Sequence, residues 1–348
     1  MNLDNLEKFT KIDSEEMVSK IRNLPDMILA GWRFSAQQNA IKIKQPDQII
    51  FSGFETERNI IRIFRTILNL YISAPLKFYD LAELADMKMR DNQLIVLNSD
   101  EENLDDLKKL IIQVGDANHK LFVITANEKL RTELAKMPLE AWHTNELTFQ
   151  RNSIGYDLGL LSGLFHKAGL LPDISKDIDA TVKALKTNLL RLDIDISSIQ
   201  NPAKRLAGQM VGRWIKIISG KSMFPIAQYW SEQISKCAKV VSFSEEVSDL
   251  AHFSLSGNLN PAALAQQSMN IFIHSMLDSE KEQILLNLTR DELMCIGVGT
   301  DTFSARGESH LLQIFNSILF GEFLAYYLAI AYECDPTPIL SVSPPMTQ

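Results

Sequence analysis

The sequence is poor in cysteine and in clustered positive charge, and these shortages exclude several classes of protein. Its three cysteines, Cys237, Cys295 and Cys334, are odd in number and scattered, so they form neither a disulfide framework nor a metal-ligand pair. The 35 basic residues are outnumbered by 43 acidic ones, which gives a formal net charge of -8. Because nucleic-acid and anionic-membrane surfaces need concentrated lysine and arginine, we expect neither kind of partner.

Long apolar runs are also missing, and we expect no secretory leader. No apolar run reaches the roughly 18 residues that a membrane helix needs. The most apolar segment, Ile314–Tyr332, is interrupted by Asn316, Gly321 and Glu322. The first residues, Met1–Glu7, are acidic and do not follow the design of a signal peptide. We therefore expect a cytoplasmic protein without a membrane partner.

The chain is long enough for two domains, because 348 residues exceed what one core usually holds. Short apolar runs that suit strands alternate with helical patterns in both halves, which predicts an α/β fold with mostly parallel sheets between helices. We predict a helical segment at 1–45, sheet domains at 46–150 and 201–338, connecting helices at 151–200 and a tail at 339–348. The predicted strands are Asp47–Phe51, Leu76–Tyr79, Gln93–Leu97, Leu121–Thr125, Trp214–Ile218, Met269–Ile273 and Leu293–Gly299.

Three stretches resemble a known family. They are Gln228–Lys239 (QYWSEQISKCAK), Gly321–Ala329 (GEFLAYYLA) and Asp335–Pro338 (DPTP). The sequence is similar here to the bifunctional phosphoglucose/phosphomannose isomerases, which are built from two sugar isomerase (SIS) domains. The resemblance implies two flavodoxin-like three-layer αβα domains, a homodimer, no cofactor, and isomerisation of glucose 6-phosphate or mannose 6-phosphate to fructose 6-phosphate.

The catalytic base is the main departure from that family. The family writes the first stretch as roughly W-K-x-Q-x-N-E-x-A-K, in which the Glu is the base, and the corresponding residue here is Lys236. Glu232 lies one helical turn earlier, so the two side chains can form an i,i+4 ion pair that holds the lysine charged. A charged lysine cannot accept a proton, whereas Glu232 is itself a candidate for a displaced base.

Two further catalytic candidates follow from the resemblance. Arg151, in the segment Gln150–Tyr156, matches an arginine that contributes to the family's active site and would stabilise an enediolate. His252, in Ser248–Ser254, matches the histidine that opens the sugar ring. The alternative interpretations are a surface arginine at a helix start and a structural histidine.

Ligands of parallel α/β sheets bind beyond the carboxyl ends of the strands. The resemblance implies a phosphate site in two such loops, with Ser52 and Gly53 in the first and Ser99 and Asn103 in the second, and it adds Thr300 or Thr302 to the substrate site. The second loop, however, contains the acidic run Asp100–Glu102, which would repel a phosphate. These acids equally suit a solvated helix N-terminus.

Two functions stay open at this stage. The first is a phosphosugar isomerase, and the second is a non-catalytic SIS protein that binds a sugar phosphate or a related small ligand. The histidines show no ligand spacing with one another or with cysteine, so we expect no metal site.

Overall fold

The computed structural model of the protein describes residues 2–39, 43–53, 58–88, 90, 92–98, 104–115, 120–137, 139–144 and 152–340. These residues belong to two compact units. The inserted unit is Leu24–Ile178, and the split unit joins Met1–Asn23 to Asp179–Gln348.

The chain first forms two short helices of the split unit and then passes through the inserted unit. The two helices are α1 (Leu6–Ile12) and α2 (Met17–Arg22). The elements of the inserted unit are α3 (Leu24–Gln37), β1 (Gln48–Ser52), α4 (Arg58–Leu68), β2 (Leu76–Phe78), α5 (Leu81–Asp86), β3 (Gln93–Asn98), α6 (Leu104–Gly115), β4 (Lys120–Thr125), α7 (Glu128–Leu134), β5 (Glu140–His143) and α8 (Ile154–Lys167).

The remaining elements belong to the split unit, except that the first residues of α9 belong to the inserted unit. They are α9 (Ser175–Leu192), α10 (Pro202–Met210), β6 (Trp214–Ser219), α11 (Phe224–Ala238), β7 (Ser242–Glu246), α12 (Val247–Asp249), α13 (Ala262–Gln266), β8 (Ser268–His274), α14 (Glu280–Cys295), β9 (Gly299–Ser304) and α15 (His310–Ala331). A 3-10 turn at Lys221–Met223 precedes α11, and a π-helical turn at Leu250–Ser254 follows α12.

Both sheets are parallel throughout. The inserted unit has the strand order β2-β1-β3-β4-β5, and the split unit has β7-β6-β8-β9. The central strands β1, β3 and β8 are apolar and almost wholly buried, as expected for strands covered by helices on both faces. The predicted α/β class with two parallel sheets is therefore confirmed.

The final strand of the sequence prediction was wrong in position. Instead of a strand at Leu293–Gly299, helix α14 continues to Cys295 and β9 begins at Gly299. The helix starts with a capping box between Ser279 and Glu282, and its buried side chains include Leu286 and Leu293, seven residues apart on one face. The apolar run after Leu293 is a mostly exposed helix end, so its hydrophobicity did not indicate a strand.

A stripe of glycines brings helices α3 and α8 close together in the inserted unit. Gly155, Gly159 and Gly163 recur every fourth residue and therefore share one face of α8. A Cβ atom on Gly159 would lie 2.2 Å from the carbonyl oxygen of Ile28, and one on Gly163 would lie 2.3 Å from the Cβ of Ser35. Neither position has space for a side chain at this helix separation.

The long helix α15 forms the centre of the split unit. Of the helices that the structure describes, it alone is long and apolar enough to cross a membrane, yet 94% of its most apolar window is buried inside the protein. Its one carboxylate, Glu322, is buried and accepts a hydrogen bond from the Tyr229 hydroxyl. A buried carboxylate with a dedicated partner is typical of a helix packed within a protein core.

The N-terminal segment is fastened to this core by buried polar groups. The Asp13 carboxylate accepts hydrogen bonds from the backbone N–H of Met17 at 2.7 Å and from the Tyr326 hydroxyl at 3.1 Å. The Lys204 side chain is only 1% exposed, and its Nζ lies 5.4 Å from the ring centre of Phe9. Residues from both ends of the chain thus share one core.

Candidate functional site

The carboxyl ends of β1 and β3 carry buried polar side chains in the inserted unit. Ser52 ends β1 with only 1% of its surface exposed, and Asn98 ends β3. Ser52 Oγ and Asn98 Oδ1 are both buried and have no hydrogen-bond partner within the described part of the chain. Because an unpaired buried polar atom costs about 1–3 kcal/mol, two at adjacent strand ends mark a candidate for a ligand contact.

Gly53 determines how closely the first loop approaches β3. Its φ is +79°, in the left-handed region, and a Cβ there would lie 1.8 Å from the carbonyl oxygen of Asn98. The Asn98 amide nitrogen lies 3.4 Å from the Gly53 carbonyl oxygen. Glycine is therefore required at this position, and it sets Ser52 beside the end of β3.

The carboxyl end of β4, the strand beside β3, also carries polar side chains. Thr125, the last residue of β4, is buried, and its Oγ1 accepts from the backbone N–H of Asn127. The Asn127 side chain in turn caps α7 by accepting from the N–H groups of Lys129 and Leu130. Ser99, Asn103 and Arg151, which the sequence placed in the substrate and catalytic sites, lie outside the described residues and stay predictions.

Helix α11 carries Lys236, which the resemblance aligns with the family's catalytic base. Lys236 Nζ lies 3.7 Å from Glu232 Oε2, so the predicted i,i+4 ion pair is present. The Lys236 side chain is 22% exposed and the Glu232 side chain 44% exposed. The catalytic roles of both residues stay predictions.

Helix α11 packs against α15 in the core of the split unit. Trp230 donates from Nε1 to the carbonyl oxygen of Ser317 at 2.8 Å, and a Cβ on Gly321 would lie 2.3 Å from the same nitrogen. The Tyr229 hydroxyl donates a hydrogen bond to the Glu322 carboxylate. The two stretches Gln228–Lys239 and Gly321–Ala329 that carry the resemblance thus pack against each other.

The histidine proposed for ring opening lies on the surface of the split unit. His252 is exposed in the π-helical turn at Leu250–Ser254, with its ring 6.4 Å from that of Phe253. The nearby carboxylate of Glu245 lies 2.9 Å from Lys216 Nζ and accepts a hydrogen bond from Ser254. Glu245 is therefore already paired, and the catalytic role of His252 stays a prediction.

The carboxyl edge of the split-unit sheet is acidic. The Glu282 carboxylate accepts a hydrogen bond from the backbone N–H of Lys221 at 2.8 Å. Asp278 is 4% exposed, and burial raises the pKa of its carboxyl group to about 7. A Cβ on Gly220 would lie 2.4 Å from Asp278 Oδ1, so any larger residue at position 220 would force this carboxyl group to move. An ionised carboxylate at this edge would repel a phosphate.

Thr300 lies away from the carboxyl edge of the split-unit sheet. It is the second residue of β9 and pairs with Asn270 of β8. At ~3.3 Å per residue, it lies about 13 Å before the carboxyl end of the strand. Its role in a substrate site stays a prediction, and Thr302, two residues later, lines a cavity of about 610 Å³ described below.

Asn98 opens the second of the loops that the sequence places beyond the strand ends, although it was not singled out as a site residue. Asp278 was not predicted, because groups that pack against it, such as Gly220, are far away in the sequence. Among the residues that the structure describes, no group of three or more His, Cys, Asp or Glu is arranged to hold a metal ion.

Comparison with known proteins relates this geometry to one family. Residues 199–344 match the bacterial phospho-glucose isomerase C-terminal SIS domain. The chain is 24% identical over 338 residues to the bifunctional phosphoglucose/phosphomannose isomerase of Caldicellulosiruptor bescii, covering 94% of this chain and 96% of that protein.

Solved structures share the fold at low sequence identity. The C-terminal domain of glucosamine-fructose-6-phosphate aminotransferase from Francisella tularensis superposes with a TM-score of 0.64 at 14% identity, over 92% of this chain and 98% of that one. Tagatose-6-phosphate ketose/aldose isomerase from Escherichia coli gives 0.62 at 12% identity, over 95% and 97%. The chain is thus similar in sequence to the bifunctional phosphoglucose/phosphomannose isomerases over most of its length, its residues 199–344 match a SIS domain, and these solved structures share its fold.

Proposed function

We propose that the protein binds a sugar-derived ligand at the carboxyl edge of the inserted-unit sheet and does not isomerise it. The observation that carries this proposal is the ion pair between Lys236 and Glu232. Aldose–ketose isomerisation moves a proton between two adjacent carbons, which requires a base poised near neutral pH. An ion-paired ammonium at the family's base position supports binding without turnover.

The unpaired polar atoms at the ends of β1 and β3 support the binding half of the proposal. Ser52 Oγ can donate or accept a hydrogen bond, and Asn98 Oδ1 is an acceptor, so the pair suits the hydroxyl groups of a sugar. The acidic run Asp100–Glu102 in the sequence of the second loop favours a sugar with little negative charge over a phosphate dianion. The homodimer implied by the resemblance and the cytoplasmic location expected from the sequence belong to the same proposal.

A coupled assay for fructose 6-phosphate tests the catalytic half. We expect no product from glucose 6-phosphate or mannose 6-phosphate above the rate without protein, and no change in a Glu232→Gln variant. Glu280→Gln on α14 is a control, since it removes a carboxylate from the start of a different helix. Wild-type turnover that disappears in Glu232→Gln but persists in Glu280→Gln would contradict the proposal. It would make Glu232 the base of an isomerase, the function in the name of the Caldicellulosiruptor bescii relative.

Ser52→Ala tests the binding half. The substitution removes a buried hydroxyl that has no protein partner, so we expect the free energy of unfolding to stay unchanged or to rise by up to about 1 kcal/mol. Binding of glucose, glucose 6-phosphate or fructose 6-phosphate, whichever the wild-type protein binds by calorimetry, should weaken at least fivefold. Ser256→Ala, in the other unit, is the matched control. Equal affinity of Ser52→Ala and wild type would place the ligand elsewhere.

A further inference from the structure

The sheet of the split unit has four strands, one fewer than the sheet of the inserted unit, and its last strand is β9. In the inserted unit, β4 pairs with β3 on one side and with the edge strand β5 on the other. In the split unit, β9 pairs with β8 on one side, and within the described part of the chain no strand pairs with its other side. The consecutive residues Asp301–Ser304 all line the cavity of about 610 Å³. Since alternate strand residues point to opposite faces, this cavity lies against the open edge of β9.

Three arginines from different elements surround this cavity. Arg191 is in the last turn of α9, Arg205 is in α10, and Arg306 lies between β9 and α15. Within the described part of the chain, none of the three guanidinium groups makes an ion pair or a hydrogen bond. Asp301 is the one acidic residue in the lining, so the cavity is cationic in a protein whose net charge is -8.

The cavity wall is held in place by a short chain of amide hydrogen bonds. Asn188 of α9 donates to the side-chain oxygen of Asn316 in α15 at 2.7 Å, and Asn316 donates to the carbonyl oxygen of Arg306 at 2.6 Å. These bonds join α9, α15 and the segment that carries Arg306. The arginine backbone is thereby positioned before any ligand arrives.

Two phenylalanine side chains, Phe303 and Phe320, form the aromatic floor of the cavity. Phe303 and Phe320 line the cavity with their ring centres 4.5 Å apart, and both rings contact Trp230 of the core. Small-molecule sites commonly combine an apolar floor with a few convergent polar groups, in volumes of roughly 300–1,000 Å³. Arginine is the side chain best suited to phosphate and carboxylate groups, because its planar fork donates two parallel hydrogen bonds.

We propose that this cavity is a binding site for a small polyanion, an organic molecule with at least two phosphate or carboxylate groups. Its lining residues do not include Ser52, Asn98 or Lys236, whereas Thr302, which the resemblance offers as one alternative for the substrate site, does line it. Three guanidinium groups match two anionic groups on one ligand, and the phenylalanine floor accepts the organic part.

Calorimetric titration of the full chain with inorganic pyrophosphate, in low-chloride buffer, tests the site. We expect saturable 1:1 binding with a Kd below about 1 mM. An Arg205→Gln/Arg306→Gln double variant should bind at least tenfold more weakly. The matched control is Arg65→Gln/Arg131→Gln, which removes the same charge from exposed positions of the inserted unit. A parallel titration with citrate distinguishes phosphate from carboxylate ligands.

Two results would overturn the proposal. One is the absence of saturable binding of both pyrophosphate and citrate to the wild-type protein. The other is an equal loss of affinity in the two double variants, because binding would then follow overall charge and not the cavity. Arg205 and Arg306 are exposed, so both double variants should fold, and unchanged circular dichroism spectra verify this before the titrations are compared.

Discussion

Replacing Gly159 with leucine is expected to destabilise the protein by about 4 kcal/mol or more. The Cβ of any residue here would lie 2.2 Å from the carbonyl oxygen of Ile28 and 3.0 Å from the backbone nitrogen of Trp32. Both are backbone atoms of α3, so no rotamer change relieves the clash, and the two helices must separate. Overpacking a core usually costs about 1–3 kcal/mol, and the forced loss of a helix–helix contact exceeds that range.

Gly159→Ala gives the more discriminating result. In an exposed helix, alanine is about 1 kcal/mol better than glycine. At position 159 we expect the opposite sign, a loss of about 2 kcal/mol in the free energy of urea-induced unfolding, because even one methyl group meets the α3 backbone. Gly257→Ala is the control, since nothing lies within 4 Å of a Cβ at that position. A Gly159→Ala variant as stable as wild type would mean that α3 and α8 are farther apart than described.

Asp278→Asn is expected to make the protein more stable at pH 8 and to flatten its dependence on pH. Burial raises the carboxyl pKa from 3.8 to about 7 in the folded protein. Between these values the folded state binds a proton that the unfolded state has lost, so stability falls as pH rises from about 4 to 7. A difference of about three pKa units corresponds to roughly 4 kcal/mol, which is fully lost above pH 7.

The asparagine variant keeps the local hydrogen bond while removing the charge. Its side-chain oxygen can still accept from the backbone N–H of Ser275, as Asp278 Oδ2 does at 3.0 Å. The measurement is the free energy of urea-induced unfolding at pH 5 and pH 8 for wild type, Asp278→Asn and Asp291→Asn, an exposed control. Parallel wild-type and Asp278→Asn curves would show that Asp278 does not titrate in this range.

Much of the fold could be predicted from the sequence wherever a strand is buried on both of its faces. Strands such as Gln93–Asn98 are continuous apolar runs, and that pattern indicates a covered parallel sheet whatever surrounds it. The edge strands Glu140–His143 and Ser242–Glu246 were not predicted, because they are short, polar and half exposed. Their pairing comes from the neighbouring strand and leaves little periodic signal of its own.

The candidate site was predictable only where the determining contacts are local. The pair of Glu232 and Lys236 follows from a four-residue spacing on one helix. The raised pKa of Asp278 does not, since it comes from burial, and the residues that bury it, Gly220 among them, include ones far away in the sequence. The glycine stripe of α8 was likewise missed, because only the path of α3 shows that the small residues mark a close approach.

The discontinuity of the split unit has a consequence for the order in which the protein folds during synthesis. The inserted unit, Leu24–Ile178, is complete as soon as its own residues have emerged from the ribosome. The first helices, by contrast, wait for their partners: Asp13 bonds Tyr326, 313 residues later, and Phe9 packs on the same helix. We therefore expect a nascent chain in which the inserted unit is folded while the first helices, α1 and α2, are not yet packed against the rest of the split unit. Chaperone contacts should accordingly concentrate on Phe9, Met17 and Ile21, the apolar residues that are last to be covered.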